Sequence, residues 1–174
     1  MKKIVMLMIV FSMFLTVSCN KKMIKGTDIE ETPDSKEIIY VVWAHYQKGF
    51  TEQNPDIYLE YVSKNYYDQN GTDDAADDVD YDKLIEILHS DAYNSLEKLS
   101  ATFVIKDLLF VPGSDDKAEL IYFFEVRFKM KSSLPQTEEN AFMQPDGMIN
   151  QKISENNKMK FVKEDGKWKI VSGL

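Results

Sequence analysis

Cysteine is nearly absent from this chain of 174 residues: there is one, Cys19, so no disulfide can form within it. Its stability therefore comes from packing alone. Histidine is almost as scarce. His45 and His89 are the two present, and neither has a second imidazole or a cysteine at metal-ligand spacing, so the usual zinc arrangements are excluded. Basic residues are outnumbered, 21 against 29 acidic ones, for a formal net charge of −8. Phosphate backbones are held by basic stripes, so this balance argues against nucleic acid as a partner. A Gly-x-Ser-x-Gly elbow, a Gly-rich phosphate loop and a His-Glu-x-x-His pair are all missing, and no cofactor is implied.

What is present begins with an address. Met-Lys-Lys is followed by the apolar run "IVMLMIVFSMFLTV" and then by Ser18 and Cys19. A short basic start, an apolar stretch and a small residue form the layout of a secretory signal. The run is shorter than the roughly 20 apolar residues a transmembrane helix needs. With Leu15, Thr16, Val17 and Ser18 leading into Cys19, residues 1–18 resemble a bacterial lipoprotein signal peptide. That family prefers Leu three positions before the cysteine, where this chain has Thr16 and carries Leu15 one position further back. The resemblance implies cleavage before Cys19, lipid attachment to it and anchoring to a bacterial membrane, on the periplasmic side or at the cell surface. A lone thiol on an exported chain otherwise lacks a purpose.

Residues 19–33 read as a tether and 34–174 as a single domain, long enough to bury a real core. "DSKE" fits a helix start capped by Asp34 with Glu37 three residues on. Behind it Ile38, Val41, Val42, His45 and Gly49 share one helical face, flanked by Ile39, Trp43, Tyr46 and Phe50. Asn54 and Pro55 predict a second helix. A third runs from about Asp80 with Leu84, Ile85, Leu88, Ala92 and Leu96 on one face. The period then changes. Residues 100–111 and 117–131 read as strands, the second placing Tyr122, Phe124, Val126, Phe128 and Met130 on a buried face. Residues 132–156 read as a long loop. Two closing strands are joined at Asp165-Gly166, a strong hairpin signal.

Helices first and a long-stranded antiparallel sheet after is an α+β pattern. The order of elements, with "FVIKDLLFVPGSDDKAELIYFFEVRF" and the closing "FVKEDGKWKIVSGL", resembles the nuclear transport factor 2-like superfamily (cystatin-like fold, SnoaL-like) over residues 35–174. The resemblance implies a cone in which a curved sheet wraps N-terminal helices around a pocket. In relatives such as ketosteroid isomerase and scytalone dehydratase, catalysis in such a cone uses carboxylates, histidines and tyrosines facing the pocket. No catalytic motif of those enzymes is matched here, and the 132–156 segment is longer than the usual pattern.

Candidate chemistry is sparse. Seven aspartates fall between Asp68 and Asp82 with no Lys or Arg among them. Counted from Asp78, a calcium loop needs Gly and Glu where Lys83 and His89 stand, so the motif fails and no metal site is assigned. These aspartates read as a solvated loop that favours the start of the third helix. His45 lies on or near the apolar helix face. Asp107 shares parity with Phe103, Ile105 and Leu109, although "IKDLL" also reads as a bulge turning it outward. These two are the acid–base candidates. Tyr46, Tyr122, Phe124 and Trp168 are the expected pocket lining.

Three roles remain open on this reading. The leading one is a non-catalytic envelope protein, anchored to the membrane through Cys19, that binds a small apolar ligand or an envelope protein. The second is a small isomerase or dehydratase using His45 or Asp107 with a pocket tyrosine. The third is a pure interaction module using the outer sheet face.

Overall fold

A computed structural model describes residues 21–131 and 148–174; Cys19, the rest of the expected signal segment and residues 132–147 lie outside them. The expected tether is a folded element from residue 21 onward. Met23 bridges Glu30, Ile24 N–H donates to Ile29 O at 2.8 Å, and Ile24 and Ile29 are both buried in the core. Two isoleucines offering apolar surface to the core outweigh the polarity of their neighbours.

The first helix starts differently from the expectation. Its cap is Thr32, which accepts from Ser35 N–H at 3.1 Å while Ser35 Oγ accepts from Thr32 N–H at 2.8 Å, with Pro33 at the first position. Asp34 and Glu37 are thereby freed for another task. Helix α1 (Pro33–Glu37) continues into a π segment (Ile38–Trp43) and then α2 (Ala44–Thr51). The wider π turn brings Ile38, Ile39, Val42 and Trp43 all into the core, and leaves Val41 exposed and His45 half-buried.

The rod ends at Thr51 and the chain turns back on it; Gly49, in the last turn, lacks a Cβ and so leaves room for Tyr58 and Asn54 O, 2.5 and 2.7 Å from where a Cβ would stand. Helix α3 (Asp56–Leu59) is a single turn without a side-chain cap, shorter than the Asn54-Pro55 signal predicts. The next residues run beside the last strand, with Ser63 N–H donating to Ile170 O and Ile170 N–H to Tyr61 O, so they cover an otherwise open sheet edge.

Strands β1 (Tyr67–Asp68) and β2 (Val79–Asp80) pinch the base of the acidic loop. Its aspartates act locally: Asp68 and Asp74 accept from Asn70 and Ala76 N–H, and Asp77 accepts from the Thr72 hydroxyl. Asp80 caps α4 (Tyr81–Leu88), which buries Leu84 and Leu88. The single third helix of the sequence reading is two, because Ser90 leaves the helical backbone and caps a new turn, α5 (Asp91–Asn94).

Four antiparallel strands follow in the order β3-β4-β5-β6: β3 (Glu97–Phe110), β4 (Lys117–Lys131), β5 (Met148–Glu164) and β6 (Lys167–Ser172). Residues 148–156, expected in a loop, extend β5 and pair with β4 as far as Lys131↔Met148. The polar run "NQKISENN" has a single β-former, Ile153, and the ladder to β4 holds it as strand. The β5–β6 turn is as expected, with Asp165 and Gly166 at φ 51 and 78, the left-handed pair this two-residue hairpin requires. Bulges between Ile105 and Asp107 and between Lys160 and Phe161 bend the sheet around the helical rod.

Candidate functional site

The helical rod packs into the curve of the sheet, and one end of this packing is closed. At the closed end Trp168 is fully buried; its Nε1–H donates to Asp34 Oδ1 at 2.9 Å and its backbone N–H to Glu37 Oε1 at 3.0 Å. Lys163 Nζ meets the same Asp34 oxygen at 2.5 Å. Donation from Lys163 first and Trp168 second holds the Asp34 carboxyl below the ordinary carboxylate range. Trp168, expected in the pocket lining, is thus a structural seal, because its only polar atom is satisfied by the helix that closes the cone.

Moving away from that seal, the core between rod and sheet becomes aromatic. Trp43 packs on Tyr122 with ring centroids 4.6 Å apart, on Tyr46 at 5.3 Å and on Phe103 at 5.6 Å. Phe50 reaches Phe103 at 5.6 Å, and Phe124 reaches Tyr122 at 6.2 Å. Tyr46 and Tyr122 are buried, whereas Phe103 and Phe124 are half-buried. Of the four residues expected to line a pocket, Tyr46, Tyr122 and Phe124 pack into this one aromatic cluster. Burial pushes the Tyr122 phenol up to about 12 and the Tyr46 phenol well above its ordinary range, with Tyr122 and Tyr58 beside it adding to the effect. Both remain neutral hydroxyls at any physiological pH.

Neither acid–base candidate joins this cluster. His45 Nδ1 lies 2.7 Å from Val41 O, and its ring stacks on Tyr61 at 4.6 Å on the outer side of the rod. Asp107 is exposed, held at the bulge where its Oδ1 accepts from Leu108 N–H at 2.8 Å. The bulge resets the parity of β3, so that Leu108 is buried and Leu109 is exposed.

On β5, Ile153 and Glu155 were hidden from the sequence reading by the assignment of 132–156 to a loop. Asn157 pairs with Tyr122, Glu155 with Phe124 and Ile153 with Val126. Residues directly opposite in an antiparallel pair project to the same face, so these three share the face of the aromatic wall. The alternation Ile153, Glu155, Asn157, Met159, Phe161 was the available signal, an upstream continuation of the closing strand. Asn157 interacts with the Tyr122 hydroxyl, which also donates to Gly173 O at 3.4 Å. Near that point Asp68 accepts from Gly173 N–H and the Ser172 hydroxyl. Burial alone raises the Asp68 carboxyl, but donors from Asn70, Gly173 and Ser172 outweigh it and hold it below its ordinary value.

No protein-family model matches the sequence, and no curated protein matches it. Solved structures do match in fold. A type 2 hexachlorocyclohexane dehydrochlorinase is 11% identical with a TM-score of 0.57, over 80% of this chain and 82% of that one. A protein with a cystatin-like fold from Caulobacter vibrioides is 10% identical with a TM-score of 0.55, over 80% and 87%. A nuclear transport factor 2-like protein of unknown function from Shewanella oneidensis is 14% identical with a TM-score of 0.51, over 80% and 96%. Identities this low speak for architecture and for nothing finer. With its N-terminal helices held in the hollow of a curved antiparallel sheet, the chain has the nuclear transport factor 2-like, or cystatin-like, fold.

Proposed function

We propose that this chain is an exported, lipid-anchored envelope protein that holds a small apolar ligand in its cone without transforming it. What supports the ligand-binding part is the cluster of Trp43, Tyr46, Phe103, Tyr122 and Phe124 between rod and sheet, to which His45 and Asp107 add no acid or base. An interior of rings and neutral hydroxyls suits retention of an apolar molecule. A phenol held above its ordinary pKa is a poorer source of phenolate base near neutral pH. Since proteins of this fold include a dehydrochlorinase, fold alone does not decide between binding and catalysis. The lipid anchor rests on the segment leading to Cys19, and no described helix is long and apolar enough to cross a membrane.

The test is native mass spectrometry of the full protein taken from its host's envelope. The expected result is a lipid-modified N-terminus together with a reproducible, non-covalent extra mass that Phe124→Ala removes. A bare protein mass, unchanged by that substitution, overturns the binding role and leaves an envelope partner as the thing to seek.

A further inference from the structure

The outer face of the sheet carries a cavity of its own, of about 390 Å³, across strands β4, β5 and β6. That volume lies within the roughly 300–1,000 Å³ of small-molecule sites. Ala118, Leu120 and Phe161 are buried in the core, and the residues alternating with them point the other way. Lys117 therefore stands outward opposite Val162, and Glu119 outward opposite Lys160. Val162 and Val171 supply an apolar floor. Val111 joins them from the end of β3, where its N–H donates to Lys117 O at 3.0 Å.

The charged groups around this groove differ in their commitments. Glu119 pairs with Lys158 at 2.8 Å. Glu164 Oε1 accepts from the Ser63 hydroxyl at 2.6 Å and from Asn65 Nδ2–H at 3.4 Å. Lys117 and Lys160 line the groove, are exposed, and make no hydrogen bond or ion pair with another described residue. Both carboxylates are thus occupied while both ammonium groups are open. Lys158 and Lys169 share this outer face, so the local field is positive on a chain whose net charge is −8. An apolar floor with a cationic rim complements a molecule built as an alkyl chain with an anionic head.

We propose that this groove binds a single-chain anionic amphiphile, an alkyl carboxylate taken from solution. Its chain lies over Val111, Val162 and Val171, and Lys117 and Lys160 hold its head. This site goes beyond the reading of the aromatic core and uses none of the rings of that cluster, so each stands without the other.

Octanoate, octanol and octylamine, with one chain and three heads, test it by calorimetric titration of the full protein. At low salt octanoate is expected to bind about tenfold more tightly than octanol, each exposed lysine adding a modest charge contribution, with octylamine weakest. Added salt narrows the gap between octanoate and octanol. Lys117→Gln with Lys160→Gln, both exposed, is expected to bring octanoate to within about twofold of octanol. Lys106→Gln, the same charge change beside Phe123 and outside the groove, leaves the order intact, as does Phe124→Ala in the core. Equal binding of octanoate and octylamine, or a preference that survives the double substitution, overturns the proposal. Loss of octanoate on Phe124→Ala places the ligand in the aromatic cluster and overturns the groove as well. Binding of the protein to phosphatidylglycerol vesicles without binding of monomeric octanoate also overturns it, in favour of a sheet that faces a membrane.

Discussion

Trp168 Nε1–H donates to Asp34 Oδ1 across 134 positions of chain, at 2.9 Å. This bond joins the start of the helical rod to the last strand and defines the closed end of the cone. Asp34→Ala leaves a buried indole N–H without its acceptor, for an expected loss of about 2 kcal/mol. Asp34→Asn keeps an acceptor and is expected to lose less. Urea denaturation of both variants checks the order; equal losses would assign the effect to the Lys163 ion pair instead.

The same carboxyl links stability to pH. Lys163 and Trp168 hold Asp34 below its ordinary value in the folded chain, so folding favours the ionised form. Its contribution is complete above the unfolded carboxylate range, about pH 4, and is lost as pH falls through the lower folded value. Because Asp34 is partly exposed, solvent screening keeps the effect small. Asp34→Asn is expected to flatten part of the acid limb of a stability–pH curve below about pH 4, read by thermal unfolding in parallel buffers.

Gly49 sits where two opposing effects meet. Alanine in a helix is favoured over glycine by about 1 kcal/mol, yet a Cβ here falls 2.5 Å from Tyr58 Cδ1 and 2.7 Å from Asn54 O. Tyr58 is itself buried and the second neighbour is backbone, so neither yields easily. Gly49→Ala is expected to destabilise by about 1–3 kcal/mol in net, seen as a lower melting temperature.

Phe124 and Trp168 separate binding from packing. Phe124→Ala, at a half-buried wall position, is expected to weaken retention of an apolar ligand while the protein stays folded. Trp168→Phe removes the indole donor and is expected to cost stability with ligand retention in the folded protein kept. Native mass spectra alongside melting curves compare the two variants, and loss of ligand from both would return Trp168 to the pocket.

Cys19→Ser tests the anchor. Labelled fatty acid is expected to enter the wild-type protein and not the variant, in cells of the native host. Equal incorporation would place the modification elsewhere.

Much of this molecule was legible before folding was considered. The β4 alternation from Ala118 to Phe128 carries its own inside and outside, and Asp165-Gly166 specifies its turn because few residues accept two successive left-handed backbones. The α+β order follows from periods of 3.6 and 2 that local side-chain spacing imposes. Asp34 and Glu37 were misread because a capping box is defined by spacing, and Thr32 with Ser35 has the same spacing two residues earlier.

The sequence by itself determined what depends on neighbours in the chain: the apolar run before Cys19, the long strand with one wet face, the closing hairpin and the aromatic content of the core. Tertiary structure decided what depends on partners far away. It drew Ile24 and Ile29 of the expected tether into the core, broke the third helix at Ser90, and made strand of 148–156 by pairing it with β4. It also set the facing of the charged groups. One bulged residue sends Asp107 out, and one register assignment brings Glu155 in, because in a pleated sheet a shift of a single position exchanges the two faces.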